Sequence, residues 1–120
     1  DFLSLHIYFR PVTIPESDSK GRSVILSEFG GYSVPCEGHV FNLSKSFGYK
    51  AYSSLEDFDK AYHKLFENQI LPIIDKGLSA TVYTQLTDVE DEINGLLTYD
   101  RKVIKVDLEK IQELNKKLQY

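Results

Sequence analysis

The 120 residues of this chain, 42% hydrophobic and 27% charged, suffice for one domain with a core and exclude a disordered tail. Fourteen Lys and Arg against eighteen Asp and Glu leave a net charge of -4, the wrong sign for gripping a phosphate backbone, so nucleic acid is not an expected partner. No apolar run approaches the ~20 residues of a membrane span, and the lone Cys36 offers neither an internal disulfide nor a thiolate cage for zinc.

In chain order, Leu3 to Phe9 is rich in β-favouring residues and stops at Arg10-Pro11, which predicts a strand. Residues Thr13 to Arg22 carry turn chemistry and read as a loop. Ser23-Val24-Ile25-Leu26-Ser27 is a short continuous apolar run, the pattern of a strand covered on both faces. Glu28-Phe29-Gly30-Gly31 follows at once, which sets a carboxylate at the strand's C-terminal tip with a flexible diglycine behind it. The stretch Ser33 to Tyr52 is irregular and aromatic, a long loop that packs over other structure.

Ser53-Ser54-Leu55-Glu56 matches a capping box, and Leu55, Phe58, Tyr62, Leu65, Phe66, Ile70 and Ile73 follow at helical spacing. They predict a helix to about Asp75, with Pro72 in its last turn and Gly77 as its C-terminal cap. Ala80 to Leu86 reads as a strand running into the acidic residues Asp88, Glu90, Asp91 and Glu92. Leu108, Ile111, Leu114 and Leu118 then mark one face of a C-terminal helix capped by Asp107.

The order β, β, α, β, α predicts the α/β class with parallel strands joined by right-handed crossovers. In such sheets, ligands sit outside the carboxyl ends of the strands, and in (β/α)8 barrels the catalytic groups occupy that end. Glu28 and the Asp88 to Glu92 loop both fall there. Three strands cannot close a barrel that takes about 250 residues, so barrel sequence here amounts to part of one.

Each candidate group has a functional and a structural reading. Glu28 is either catalytic or a carboxylate that caps a loop. The acidic loop offers oxygen ligands for a hard cation, although its spacing departs from an EF-hand and a solvated loop is the simpler reading. Cys36 and His39 lack a completing partner for nucleophilic or metal chemistry, so no metal or cofactor is expected. His6 and Tyr8 alternate with Leu5, Ile7 and Phe9 and point either into a polar barrel mouth or toward a structural pairing. Phe41, Phe47, Tyr49 and Tyr52 read as loop packing ahead of sugar-stacking platforms.

Val24-Ile25-Leu26-Ser27-Glu28-Phe29-Gly30-Gly31-Tyr32 resembles the nucleophile strand of glycoside hydrolase family 2, the β-galactosidase and β-glucuronidase family. Leu5 to Pro11 resembles the preceding barrel strand. Val82-Tyr83-Thr84-Gln85-Leu86-Thr87-Asp88 with Gly95 to Lys102 resembles the last strand and its outgoing loop. The likeness runs over nearly the whole chain and implies strands six to eight of a TIM barrel, with Glu28 as the nucleophile of a retaining β-glycosidase. It further implies that Tyr8 hydrogen-bonds Glu28 and that Tyr83 lines the sugar pocket, with His6 beside them.

A retaining glycosidase needs a second carboxyl about 5 to 5.5 Å from the nucleophile. In that family it is the glutamate of an Asn-Glu pair, and no such dipeptide occurs here. With no Met at any position, the chain reads as a C-terminal piece of the catalytic domain, inactive by itself. The expected partners are a β-glycoside, the remainder of the barrel, and further copies joined through exposed strand edges. The alternative is a stand-alone α/β interaction module without catalysis. With no signal-peptide pattern, cytoplasm is the default location.

Overall fold

The computed structural model describes residues 1–15 and 20–120, so residues 16–19 of the expected loop lie outside the described residues. Along the chain come β1 (Phe2–Ile7), β2 (Ser23–Gly30), β3 (Tyr32–Ser33), β4 (Lys50–Ala51), α1 (Leu55–Leu65), a π-helical turn (Phe66–Ile70), α2 (Leu71–Ile74), β5 (Leu78–Thr84) and α3 (Leu108–Lys117). The fold is mixed α/β. β1, β2 and β5 form one parallel sheet in that spatial order, and β3 pairs with β4 in a small parallel ladder inside the long aromatic loop.

Two local irregularities decide which side chain faces where. Pairing runs Leu5 with Leu26 and then His6 with Glu28, which leaves Ser27 as an extra residue in β2. On the other side, Val24 pairs with Leu78 and Ile25 with Ala80, so Ser79 is extra in β5. A bulge inverts the alternation beyond it. Val24, Leu26 and Phe29 therefore share one face, joined by Leu3, Leu5 and Ile7 from β1 and by Leu78, Thr81 and Tyr83 from β5.

That face is covered by helix. Ser54, rather than Ser53, caps α1 by accepting the Asp57 amide at 3.1 Å, one residue later than the sequence pattern suggests. Phe58, Tyr62, Leu65 and Phe66 are buried against the sheet, with Phe29 meeting Phe66 edge-on at 5.3 Å. The expected single helix to Asp75 is interrupted by the π turn, in which the Leu71 N–H reaches back to Phe66 O. Pro72 explains the wider turn: it has no N–H to donate, and its ring crowds the carbonyl four residues back in a regular helix. Gly77, at φ 104°, ends the segment by donating to Ile74 O at 3.0 Å.

Asp107 caps α3 through the Glu109 and Lys110 amides, as the sequence predicts. Asp59 on α1 joins the two helices, accepting the Asp107 amide at 2.8 Å and the Lys110 ammonium at 3.3 Å, while His63 Nε2 lies 3.3 Å from it. No helix among the described residues is long and apolar enough to cross a membrane.

The expectation that β2 is covered on both faces is corrected. Phe2, Ser4 and His6, then Ile25, Ser27 and Glu28, then Ala80, Val82 and Thr84 share the second face. Phe2 and Val82 are 57% and 56% exposed there. The Cα radius of gyration is 15.2 Å, against about 13.6 Å for a globular domain of this length, and the extents are 48 × 27 × 21 Å. A two-layer slab with one open sheet face has that shape.

Candidate functional site around Glu28

All three strands of the main sheet deliver side chains to the C-terminal end of the open face. The Ser27 bulge turns Glu28 away from Leu26 and toward His6, its pairing partner. Tyr8, one residue beyond β1, donates its hydroxyl to Glu28 Oε2 at 3.1 Å, and the same oxygen of Tyr8 lies 3.0 Å from Thr84 Oγ1 at the end of β5. His6 Nδ1 stands 3.3 Å from Glu28 Oε2. Glu28 keeps 46% of its side chain exposed, so the carboxylate is held by the Tyr8 hydroxyl and still open to a ligand.

Burial pushes the Tyr8 hydroxyl above the ordinary tyrosine value; contact with Thr84 opposes this and the Glu28 carboxylate adds to it. Tyr8 is therefore a proton-bearing donor across the neutral range, aimed at Glu28 Oε2. The site holds a carboxylate oriented and accessible, two things that a carboxylate nucleophile requires.

The diglycine behind Glu28 is a packing device rather than the flexible linker expected from sequence. A Cβ on Gly31, which sits at φ 68°, would come within 2.8 Å of the Tyr49 ring and 3.1 Å of Tyr8. A Cβ on Gly30 would strike the Tyr83 ring at 2.3 Å on the opposite face. Tyr49 thereby stacks on Tyr8, with centroids 5.1 Å apart and planes 23° from parallel, and Phe47 meets Tyr49 edge-on at 5.1 Å. Phe9 adopts φ 56° and leaves the strand early, lying 5.9 Å from Tyr49. The loop is fastened by Phe47, whose amide donates to Asp91 O and whose carbonyl accepts from Ile93 N.

Tyr83 is not brought to Glu28. It lies on the helix face, 4.9 Å from Tyr62 and edge-on to Phe29 at 5.5 Å, and burial drives its hydroxyl far above the ordinary value. The Ser79 bulge put it there, and Thr84, which sequence reasoning passed over, occupies the place expected of Tyr83.

The acidic loop does not converge on a cation position. Asp88 is buried against Lys105 at 2.8 Å and also accepts the Gly95 amide at 2.7 Å. Lys105, whose side chain is 0% exposed, further donates to Val34 O and Ile93 O. Burial pushes the Asp88 carboxyl up, opposed by the Lys105 ammonium and the Gly95 amide. Asp91 pairs with Lys45 and Glu92 accepts from Asn94, and no group of three metal-ligating side chains occurs among the described residues. Cys36 is buried, its thiol pushed up by burial, while His39 turns to Asp100 at 2.8 Å. They do not form a nucleophile pair.

Beside the Glu28 cluster, a cavity of about 520 Å³ opens between the exit of β1, the β3–β4 ladder and the π turn, its walls including Phe9, Arg10, Tyr49 and Lys50. Glu28 is outside its lining. No protein-family model matches this chain, and no curated protein matches it.

Proposed function

We propose that this chain forms three adjacent strands of a glycosidase (β/α)8 barrel, strands six to eight, and carries the nucleophile of a retaining β-glycosidase of glycoside hydrolase family 2. The observation that carries the reading is the Glu28 carboxylate at the C-terminal end of the middle strand, held by Tyr8 from the neighbouring strand while still open to a ligand. The sequential parallel order of β1, β2 and β5 is the order a barrel wall uses, and the open sheet face is where the remaining wall would close.

In this reading Glu28 attacks the anomeric carbon as the glycosidic bond breaks, giving a glycosyl-enzyme ester, and water releases the sugar in a second step. Tyr8 and Thr84 orient the carboxylate, and His6 borders the sugar. The acid/base carboxyl comes from the rest of the barrel, so these 120 residues alone are inactive.

The test is incubation of the longest native polypeptide containing this sequence with a panel of 2-fluoro glycosyl inactivators, followed by peptide mapping. A label on Glu28 is expected, and the sugar that reacts names the substrate class. A label on another carboxylate removes Glu28 from the nucleophile role, and no label from any sugar counts against the glycosidase reading.

A further inference from the structure

The aromatic wall at Glu28 does not end there. Tyr49 stacks on Tyr8, the donor to Glu28, and the same Tyr49 with Phe9 forms a wall of the 520 Å³ cavity. The stacked rings of Tyr8 and Tyr49 stand between the carboxylate and the cavity. Among the described residues, Arg10 and Lys50 are the only charged ones in the cavity lining and no carboxylate lines it, on a chain whose net charge is -4. Neither cation takes part in an ion pair among the described residues; Lys50 sits over the rings of Tyr32 and Tyr52, at 5.6 and 5.5 Å from their centroids.

From these contacts we infer a second binding site: the cavity takes the substituent next to the sugar held at Glu28, a six-membered ring bearing a carboxylate. The ring lies on Phe9 and Tyr49, which are 53% and 51% exposed, and the carboxylate is met by Arg10 and Lys50. A cavity this size falls within the range of small-molecule sites, and apolar walls with a few convergent charges are their usual make-up. The placement of the ring as the sugar's neighbour rests on the glycosidase reading; the acid-binding cavity does not.

Two sources supply a ring with a carboxylate, a uronic acid and an aromatic acid. Isothermal titration of the chain with two matched pairs separates them: methyl β-D-glucopyranosiduronate against methyl β-D-glucopyranoside, and 4-hydroxybenzoate against 4-hydroxybenzyl alcohol. In at least one pair the acid binds roughly fivefold more tightly than its neutral partner. The pair that shows it identifies the source. The preference disappears in the Arg10→Gln, Lys50→Gln double variant, and Tyr49→Ala weakens both members of the pair. Equal or undetectable binding within both pairs, or a preference that survives the double variant, overturns the proposal.

Both cations are exposed side chains outside the core, so the double variant folds as the parent does. Glu28 labelling is read separately. A label with no acid preference removes the subsite alone, whereas an acid preference without a label leaves an acid-binding cavity and removes the enzyme.

Discussion

The two faces of the main sheet are built from alternate residues of the same strands, yet they obey different rules. On the helix face, Leu26, Phe29 and Phe58 are fully buried and the rings of Phe66, Tyr62 and Tyr83 interlock around them. On the open face, apart from the half-buried Ile25, the side chains are small, polar or exposed, and polar ones meet through hydrogen bonds: Ser4 with Ser27, Tyr8 with Glu28, and Tyr8 with Thr84. The first face provides the stability that holds the second in position. Glu28 and Phe29 are neighbours in sequence and lie on opposite sides of this division.

Substitutions that respect or cross the division sharpen it. Phe29→Ala opens a cavity in the packed face and costs about 3–5 kcal/mol, measurable by chemical denaturation. Lys105→Met leaves the Asp88 carboxylate buried without its partner and costs about 3 kcal/mol or more; adding Asp88→Leu recovers part of that loss. A smaller effect on folding belongs to the open face. Val82→Glu and Phe2→Glu each change stability by no more than about 0.5 kcal/mol. They also place charge beside the outer edges of β5 and β1, through which we propose copies of the chain associate, so light scattering should move toward the monomer mass.

Acid provides the gentlest probe. The Lys110 backbone amide, foremost, and the Lys110 ammonium hold the Asp107 carboxyl below its usual range. A carboxyl whose folded value is lowered contributes stability that is present above its unfolded value near 4 and is lost as the pH falls through the folded value. Asp107→Asn keeps a capping oxygen and flattens that part of the melting profile below about pH 4.

Much of the helix-covered half was legible in the sequence, because burial writes a period. Phe58, Tyr62, Leu65 and Phe66 at helical spacing located α1, and Asp107 announced α3. The helix interruption was not legible, since Pro72 near an expected end looks like ordinary termination and only the i→i−5 bond to Phe66 reveals the π turn. Strict alternation fails at the bulges. Counted from Leu26 it would turn Glu28 into the core, and counted from Leu78 it would put Tyr83 on the open face. Each bulge adds one residue whose presence depends on the partner strand, which no single strand encodes.

The resemblance carried Glu28 and Tyr8 to positions that meet in space, and it missed Thr84 because tyrosine was the more conspicuous neighbour. Lys105 escaped notice for a similar reason. A lysine in a charged stretch reads as surface, and only the fold shows three acceptors converging on it.

The most direct test of the division pairs turnover with thermal stability for Glu28→Gln in the longest native polypeptide containing this sequence. Turnover should fall by at least about three orders of magnitude in kcat, as expected when a catalytic nucleophile is removed. The melting midpoint should remain within about 2 °C of the parent, because Gln keeps an acceptor for Tyr8 on an open surface. Retained turnover, or a large drop in melting midpoint accompanying its loss, would contradict the separation of chemistry from packing across the sheet.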